Sequence, residues 1–200
     1  MAEKAFTDFY IAPVPEGKIG PVFPPRRQAQ LDNTINENHR RQRYFAWKLL
    51  EYGLRKSLDL VMEQMDFQLD ERGRWSCPEC FFSLSHSGGA VAVAISGAPV
   101  GVDLEEMTGK THPGLAKKIL TQAQLREYMA LEEASQKRLL LENWCLRESL
   151  FKWREAAPMA VQPPKSCTGT VTVAGKEYSY ALVSEQPHRL FLLKEDDAWN

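Results

Sequence analysis

The stretch Phe81 to Glu106, FFSLSHSGGAVAVAISGAPVGVDLEE, constrains this chain most. A short apolar run ends in Ser85-His86-Ser87-Gly88-Gly89. Ala90 to Ile95, β-branched and alanine-rich, reads as a buried strand. Ser96-Gly97-Ala98-Pro99 turns the chain, and Val100-Gly101-Val102-Asp103-Leu104-Glu105-Glu106 follows. In a strand, residues two apart share a face. Asp103 and Glu105 therefore project together, with Val102 and Leu104 on the other face. Two adjacent carboxylates repel each other unless a cation lies between them or one is protonated. Hard oxygen donors of this kind suit Mg²⁺. The competing reading of the same residues is a strand end with solvated acids.

At 200 residues the chain can bury a sizeable core in one or two domains. A hydrophobic fraction of 44% beside a charged fraction of 26% is that of a soluble globular protein. Net charge is −1, so no global field favours nucleic acid. No apolar run approaches membrane-spanning length. The N-terminal residues lack a basic segment followed by an apolar core, so the expected location is the cytoplasm. Cys77-Pro78-Glu79-Cys80 has zinc-knuckle spacing, but no second pair follows at a suitable distance. Reduced, unpaired thiols are the expectation for all four cysteines.

Ala5 to Ile11 reads as a strand, and the five prolines between Ala12 and Pro25 as an extended surface loop. Asn36 to Tyr52 reads as a helix, capped by Asn36 or Asn38 and ended by Gly53. It begins with Arg40, Arg41 and Arg43. Cations there oppose the helix dipole, so local stability does not explain them. They form either a solvated face or a phosphate-contacting cluster. Leu58 to Leu69 holds a short apolar pattern, and Asp70 to Arg74 a turn. Met107 to Gly114 is a polar loop. Leu115 to Leu120 and Gln122 to Glu133 read as short helices, with Thr121 as a cap. Lys137 to Glu155 is the longest helical pattern, with Trp144, Glu148 and Lys152 one turn apart on one stripe. Glu148 and Lys152 could be a surface ion pair worth a few tenths of a kcal/mol at roughly helical i,i+4 spacing. Thr168 to Val173, Glu177 to Val183 and Arg189 to Leu193 read as a strand meander, and the acidic tail from Lys194 as loose. Two halves emerge, each with a long helix and about three strands, without strong identity between them.

Three segments together carry a family resemblance. Phe82-Ser83-Leu84-Ser85-His86-Ser87-Gly88, Gly101-Val102-Asp103-Leu104-Glu105 and Trp144-Cys145-Leu146-Arg147-Glu148-Ser149-Leu150-Phe151-Lys152 resemble, in order and spacing, the three motifs of Sfp-type 4′-phosphopantetheinyl transferases. Gly73-Arg74 is similar to that family's Gly-Lys-Pro turn. The resemblance covers about residues 40 to 155. It implies an α+β fold of two pseudo-symmetric halves, each a long helix packed on a small, mainly antiparallel sheet. The halves would be residues 1–98 and 99–200, with coenzyme A in the cleft between them.

The resemblance also implies an activity. An enzyme of this family transfers the 4′-phosphopantetheine arm of coenzyme A to a serine of an acyl or peptidyl carrier protein and releases adenosine 3′,5′-bisphosphate. On that reading Asp103, Glu105 and Glu148 hold Mg²⁺. Lys152, His86 and Ser85 bind coenzyme A at the pyrophosphate, and Arg43 and Arg74 take the 3′-phosphate or adenosine end, with Arg40 as a weaker candidate. Glu148 is the expected base. Lys117, Lys118 and Arg126 are candidates for meeting an acidic carrier protein. A monomer is expected, without nucleic acid or membrane as partner. Arg74-Trp75 stands in place of Lys-Pro, so a different hold on the adenosine end is expected, and Trp153 to Ala157 lacks the glycine-rich turn of many relatives, a departure that bears on the pantetheine-arm contacts. The alternative is a non-catalytic relative that binds coenzyme A or a carrier protein. An unrelated metal-dependent phosphohydrolase would need more acids or histidines than the sequence supplies.

Overall fold

A computed structural model describes residues 6–108, 113–157 and 164–199. The strands are β1 (Thr7–Pro13), β2 (Gln68–Leu69), β3 (Trp75–Ser76), β4 (Phe81–Ser87), β5 (Ala90–Ser96), β6 (Val100–Glu106), β7 (Lys165–Val173), β8 (Lys176–Ser184) and β9 (His188–Leu192). The helices are α1 (Pro25–Asp32), α2 (Glu37–Leu58), α3 (Pro113–Ile119), α4 (Gln122–Ala130), α5 (Glu133–Ala156) and α6 (Glu195–Trp199), with a 3₁₀ turn at Met62–Gln64. The mixed α+β architecture matches the expectation.

Four layers stack in the order α2, first sheet, second sheet, α5. The first sheet has the order β4-β5-β1-β9 and the second β6-β8-β7. Strand alternation explains the stacking. Tyr10, Val91, Val93 and Ile95 turn towards Trp47, Leu50 and Leu54 of α2. Phe9, Ile11, Ala90, Ala92 and Ala94 face the other way and meet Val100, Val102, Leu104 and Leu182 of the second sheet. The alanines keep that second interface thin. The opposite face of the second sheet carries Asp103 and Glu105, and α5 covers it. Ser149 of α5 donates its hydroxyl to the Ala181 carbonyl at 2.9 Å, and the Cys145 thiol reaches the Ser179 carbonyl at 3.5 Å.

The edges of the two sheets meet along β4 and β6 without pairing as strands. The hydroxyls of Ser83, Ser85 and Ser87 accept the backbone N–H groups of Val102, Leu104 and Glu106 at 3.0, 3.2 and 3.1 Å. A second hydroxyl cluster closes the far end, where Thr7 Oγ1 lies 2.9 Å from Ser96 Oγ and 2.7 Å from Ser184 Oγ.

Several expectations change. Gly53 does not end α2, which runs on to Leu58. A Cβ at Gly53 would meet Ile95 Cδ1 at 2.6 Å and Tyr10 at 3.2 Å, so glycine there permits close packing on the first sheet. The segment after the prolines contains α1, which the loop reading missed. The final strands are not a meander. β7 and β8 pair with each other, but β9 leaves them and runs parallel to β1 in the first sheet. The tail is not loose: α6 buries Ala198, and the Trp199 indole donates to the Pro13 carbonyl at 3.1 Å. Asn36 does cap α2, accepting the His39 N–H at 3.0 Å, and Thr121 forms a capping box with Gln124. Of the expected polar loop, residues 109–112 lie outside those described.

Gly101 sets how closely α5 approaches β6. A Cβ there would lie 2.0 Å from the Ser149 carbonyl oxygen and 2.7 Å from the Trp153 nitrogen, both backbone atoms that cannot swing aside. Gly101→Ala should therefore destabilise the fold by about 3 kcal/mol. Gly53→Ala, whose nearest neighbour is the mobile end of a side chain, should cost clearly less. Urea unfolding midpoints of the two variants check the ranking.

Candidate functional site

The site forms where the β4–β6 seam, α5 and α2 come together. On β6, the Asp103 and Glu105 carboxylates point from one strand face towards α5, as strand parity requires. Serines of β4 hold both. Ser85 donates to Asp103 Oδ1 at 2.9 Å, and Ser87 to Glu105 Oε2 at 2.7 Å. Each of these hydroxyls thus accepts a β6 N–H and donates to a β6 carboxylate, using both capacities of a hydroxyl.

From α5, the Lys152 ammonium donates to Asp103 Oδ1 at 2.8 Å, the Val102 carbonyl at 2.9 Å and the Leu84 carbonyl at 3.3 Å. Its three donors are matched by three protein acceptors across the seam. Its partner is Asp103, not Glu148 as an i,i+4 surface pair would require. Two turns earlier on α5, the Trp144 side chain hydrogen-bonds Glu105. Glu148 lies between them on the same stripe, one turn from each.

The electrostatics of the acidic pair follow from burial. Burial raises the Glu105 carboxyl above its usual range, and the neighbouring Asp103 charge adds to this. The Ser87 and Trp144 hydrogen bonds and the Lys152 charge pull the other way. Burial, then the charges of Asp103 and Glu105, pushes the Cys145 thiol up, so it stays protonated. Asp103 Oδ2 is buried and lacks a hydrogen-bond partner. A buried anionic oxygen without a donor is costly, and a cation would satisfy it. The hard oxygen donors on this face fit a divalent cation such as Mg²⁺. Among the described residues, however, no three His, Cys, Asp or Glu side chains converge into a metal-holding group; Asp103 and Glu105 stand as a pair.

On the other side of the seam lies a cleft of about 870 Å³, walled by α1, α2, the β2–β3 turn, β4 and the end of α5. Arg27, His39, Arg43, Arg72, Arg74, His86 and Lys152 line it. Glu155 is the acid among its lining residues, and it is held by Arg72 at 3.6 Å. The cleft is therefore suited to an anion carrying several charges. Strand alternation puts Phe82, Leu84 and His86 on the cleft side of β4, while Ser85 serves β6. Desolvation lowers the His86 pKa to about 4, with Arg43, Lys152, His39 and Arg27 adding to the effect. His86 is thus a neutral imidazole at neutral pH.

The arginine cluster of α2 divides. Arg43 reaches the cleft and donates to Thr34 Oγ1 at 3.2 Å. Arg40 pairs with Asp32 at 3.2 Å, and Arg41 donates to the carbonyls of Pro15 and Gly17. Arg74 sits in a turn whose form depends on Asp70, which accepts the N–H groups of Arg72 and Arg74 at 2.9 and 2.8 Å.

Sequence reasoning missed Arg27. Its guanidinium lies 4.8 Å from the Trp47 ring centre and donates to the Arg43 carbonyl at 2.8 Å. Burial, then the Arg43 charge, lowers its pKa to about 10. Gln30, His39 and Glu155 were missed as well. A helix reading of PRRQAQLD, with proline at its first turn, was the signal that could have placed Arg27 and Gln30 on one side.

Comparison with known proteins joins this geometry to the resemblance. Residues 99–194 match the family model described as the 4′-phosphopantetheinyl transferase superfamily. That segment contains the second and third motif segments but not the first. The chain is also similar to the 4′-phosphopantetheinyl transferase psf-1 of Bacillus pumilus, with 26% identity over 107 residues. The match covers 52% of this chain and 46% of that relative, so the chain spans about half the length of the relative it matches. The similarity to the 4′-phosphopantetheinyl transferase superfamily therefore extends beyond the quoted motifs, as far as residue 194.

Two measurements test this site. Ser85→Ala removes a hydroxyl that bridges β4 and β6 and leaves the Leu104 N–H without its partner, so it should cost about 1–3 kcal/mol in chemical denaturation. His86 is protonated more readily in the unfolded chain, near 6.5, than in the folded one, near 4. Protonation therefore favours unfolding. The stability His86 contributes is complete above pH 6.5 and is lost as pH falls towards 4. An NMR titration should show its ring resonances unchanged down to about pH 5, and a midpoint above 6 would contradict the desolvated environment.

Proposed function

We propose that this chain is a 4′-phosphopantetheinyl transferase, which moves the phosphopantetheine arm of coenzyme A to a carrier-protein serine and releases adenosine 3′,5′-bisphosphate. The observation that carries the reading is the seam itself: a serine-held acidic pair on one side and a cationic cleft on the other. We take residues 1–98 and 99–200 as its two halves, with coenzyme A in the cleft between them.

The reaction is attack of a serine hydroxyl on the β-phosphate of a diphosphate. Its requirements are positioning, charge neutralisation and removal of one proton. In this proposal Asp103, Glu105 and Glu148 hold Mg²⁺, which supplies charge neutralisation at the diphosphate when bound. The buried, unpartnered Oδ2 of Asp103 supports that assignment. Arg43 and Arg74 bind the 3′-phosphate end through planar donor forks. His86, being neutral, offers a hydrogen bond to phosphate without adding charge. Lys152 keeps a fixed positive charge at the junction of both sides. Glu148 accepts the serine proton, directly or through water. Ser85 acts from behind, by orienting Asp103.

The carrier protein, usually acidic, would meet Lys117, Lys118 and Arg126, which are exposed on α3 and α4. Met129 and Phe151, 71% and 58% exposed on α4 and α5, would supply apolar contact beside them. No helix among the described residues is long and apolar enough to cross a membrane. A cytoplasmic monomer is the expected state.

Incubation of the protein with an acyl or peptidyl carrier protein, coenzyme A and Mg²⁺ should add a phosphopantetheine group, read by intact mass. Asp103→Ala, and the isosteric Asp103→Asn, should lower the transfer rate at least about a hundredfold while circular dichroism stays native. Undiminished transfer by both variants would refute the metal assignment. Coenzyme A binding without any transfer to a panel of carriers would favour the non-catalytic alternative.

A further inference from the structure

The Cys77-Pro78-Glu79-Cys80 segment joins β3 to β4 and takes no part in the proposed reaction. All four cysteines are thiols, and their surroundings differ sharply. Cys77 Sγ and Cys80 Sγ lie 3.7 Å apart, and the Cys77 thiol also lies 3.4 Å from the Cys80 carbonyl. Cys77 is half-buried and Cys80 is 8% exposed. Cys145 is fully buried. Cys167 is half-buried on β7, where its thiol lies 3.9 Å from the Thr168 carbonyl and hydrogen-bonds the Tyr180 side chain.

We propose that Cys77 and Cys80 form a reversible dithiol–disulfide site that reacts with small-molecule disulfides such as oxidised glutathione. The two sulfurs need to close from 3.7 Å to a bond of about 2.05 Å, within the four-residue bend that joins β3 to β4. Cys77 is the attacking group, since it is the more accessible of the two. Its thiol is held below the usual range, because the Cys80 thiol hydrogen-bonds its sulfur and outweighs the effect of burial. The thiolate is the nucleophile. In the first step the Cys77 thiolate attacks one sulfur of the small disulfide, forming a mixed disulfide and releasing one glutathione thiolate, which takes up a proton. In the second step Cys80 loses its proton and attacks the Cys77 sulfur, expelling the second glutathione as a thiolate. The protein gives up two electrons and two protons, and the small disulfide is reduced to two thiols.

The site has a route to the cleft. Trp75 lies two residues before the segment and Phe82 two residues after it, and both line the cleft. The Trp75 indole also donates to Gln30 of the cleft wall at 2.8 Å. A Cys77–Cys80 bond would tie those two cleft residues through one short covalent ring.

The test uses the full reduced chain, an excess of oxidised glutathione, acid quenching and peptide mass mapping. The expected product is a Cys77–Cys80 peptide lighter by two hydrogen atoms, formed at least about tenfold faster than any adduct at Cys167 and reversed by dithiothreitol. Cys167, having no thiol beside it, should retain glutathione, and Cys145 should stay unmodified. Cys80→Ser should trap glutathione on Cys77, and Cys77→Ser should leave Cys80 unmodified over the same interval. The proposal is overturned if wild-type Cys77 keeps glutathione without closing, or if the pair remains reduced while Cys167 reacts. Carrier-protein transfer plays no part in this readout, so it stands or falls separately from the proposed activity.

Discussion

The structure depends on the way the β4 and β6 edges are joined. β6 is an edge strand, and its N–H groups on the side away from β8 would be buried orphans if the two sheets simply abutted. No backbone ladder joins β4 to β6, and serine hydroxyls at alternate positions of β4 take its place. A hydroxyl can accept and donate together, so the groups that satisfy the edge also have a proton to give. Ser85 and Ser87 give theirs to Asp103 and Glu105. Closing the fold and orienting the acids are therefore one set of bonds. Lys152 completes the seam from the carbonyl side by bridging Leu84 and Val102.

This arrangement separates charge. Carboxylates lie under α5, and arginines and histidines lie in the cleft on the far side of β4. Lys152 touches both regions, bonding Asp103 and lining the cleft. Concentrated positive charge and burial keep His86 neutral. A cleft with several guanidinium groups and an uncharged imidazole is suited to an anion. Gly101 sets the approach of α5 to β6, and hence the reach of Lys152 to Asp103.

Much of this was legible in the residues. Period-two alternation placed Asp103 and Glu105 on the face opposite Val102 and Leu104, as observed. Helical spacing placed Trp144, Glu148 and Lys152 on one stripe, and the stripe does run along the acidic strand. The α2 cap at Asn36 followed from local hydrogen bonding alone. The errors have a common cause. Gly53 was read as a terminator because glycine is a poor helix former, yet its role is set by Ile95 and Tyr10 from other strands. β9 was read as the end of a meander because neighbours in sequence usually pair, yet it joins β1. Arg27 was passed over because prolines before it suggested a loop.

Near neighbours along the chain dictate the strand faces, the helix stripes, the turn at Asp70 and the family resemblance of the three motif segments. Long-range packing fixed which edge each strand would find, which of three clustered arginines would face the cleft, and that Lys152 would bond Asp103 rather than Glu148. The physical reason is range. Periodicity and capping act over one turn or two residues, whereas a buried hydrogen bond is satisfied by whichever distant group packing brings within about 3 Å.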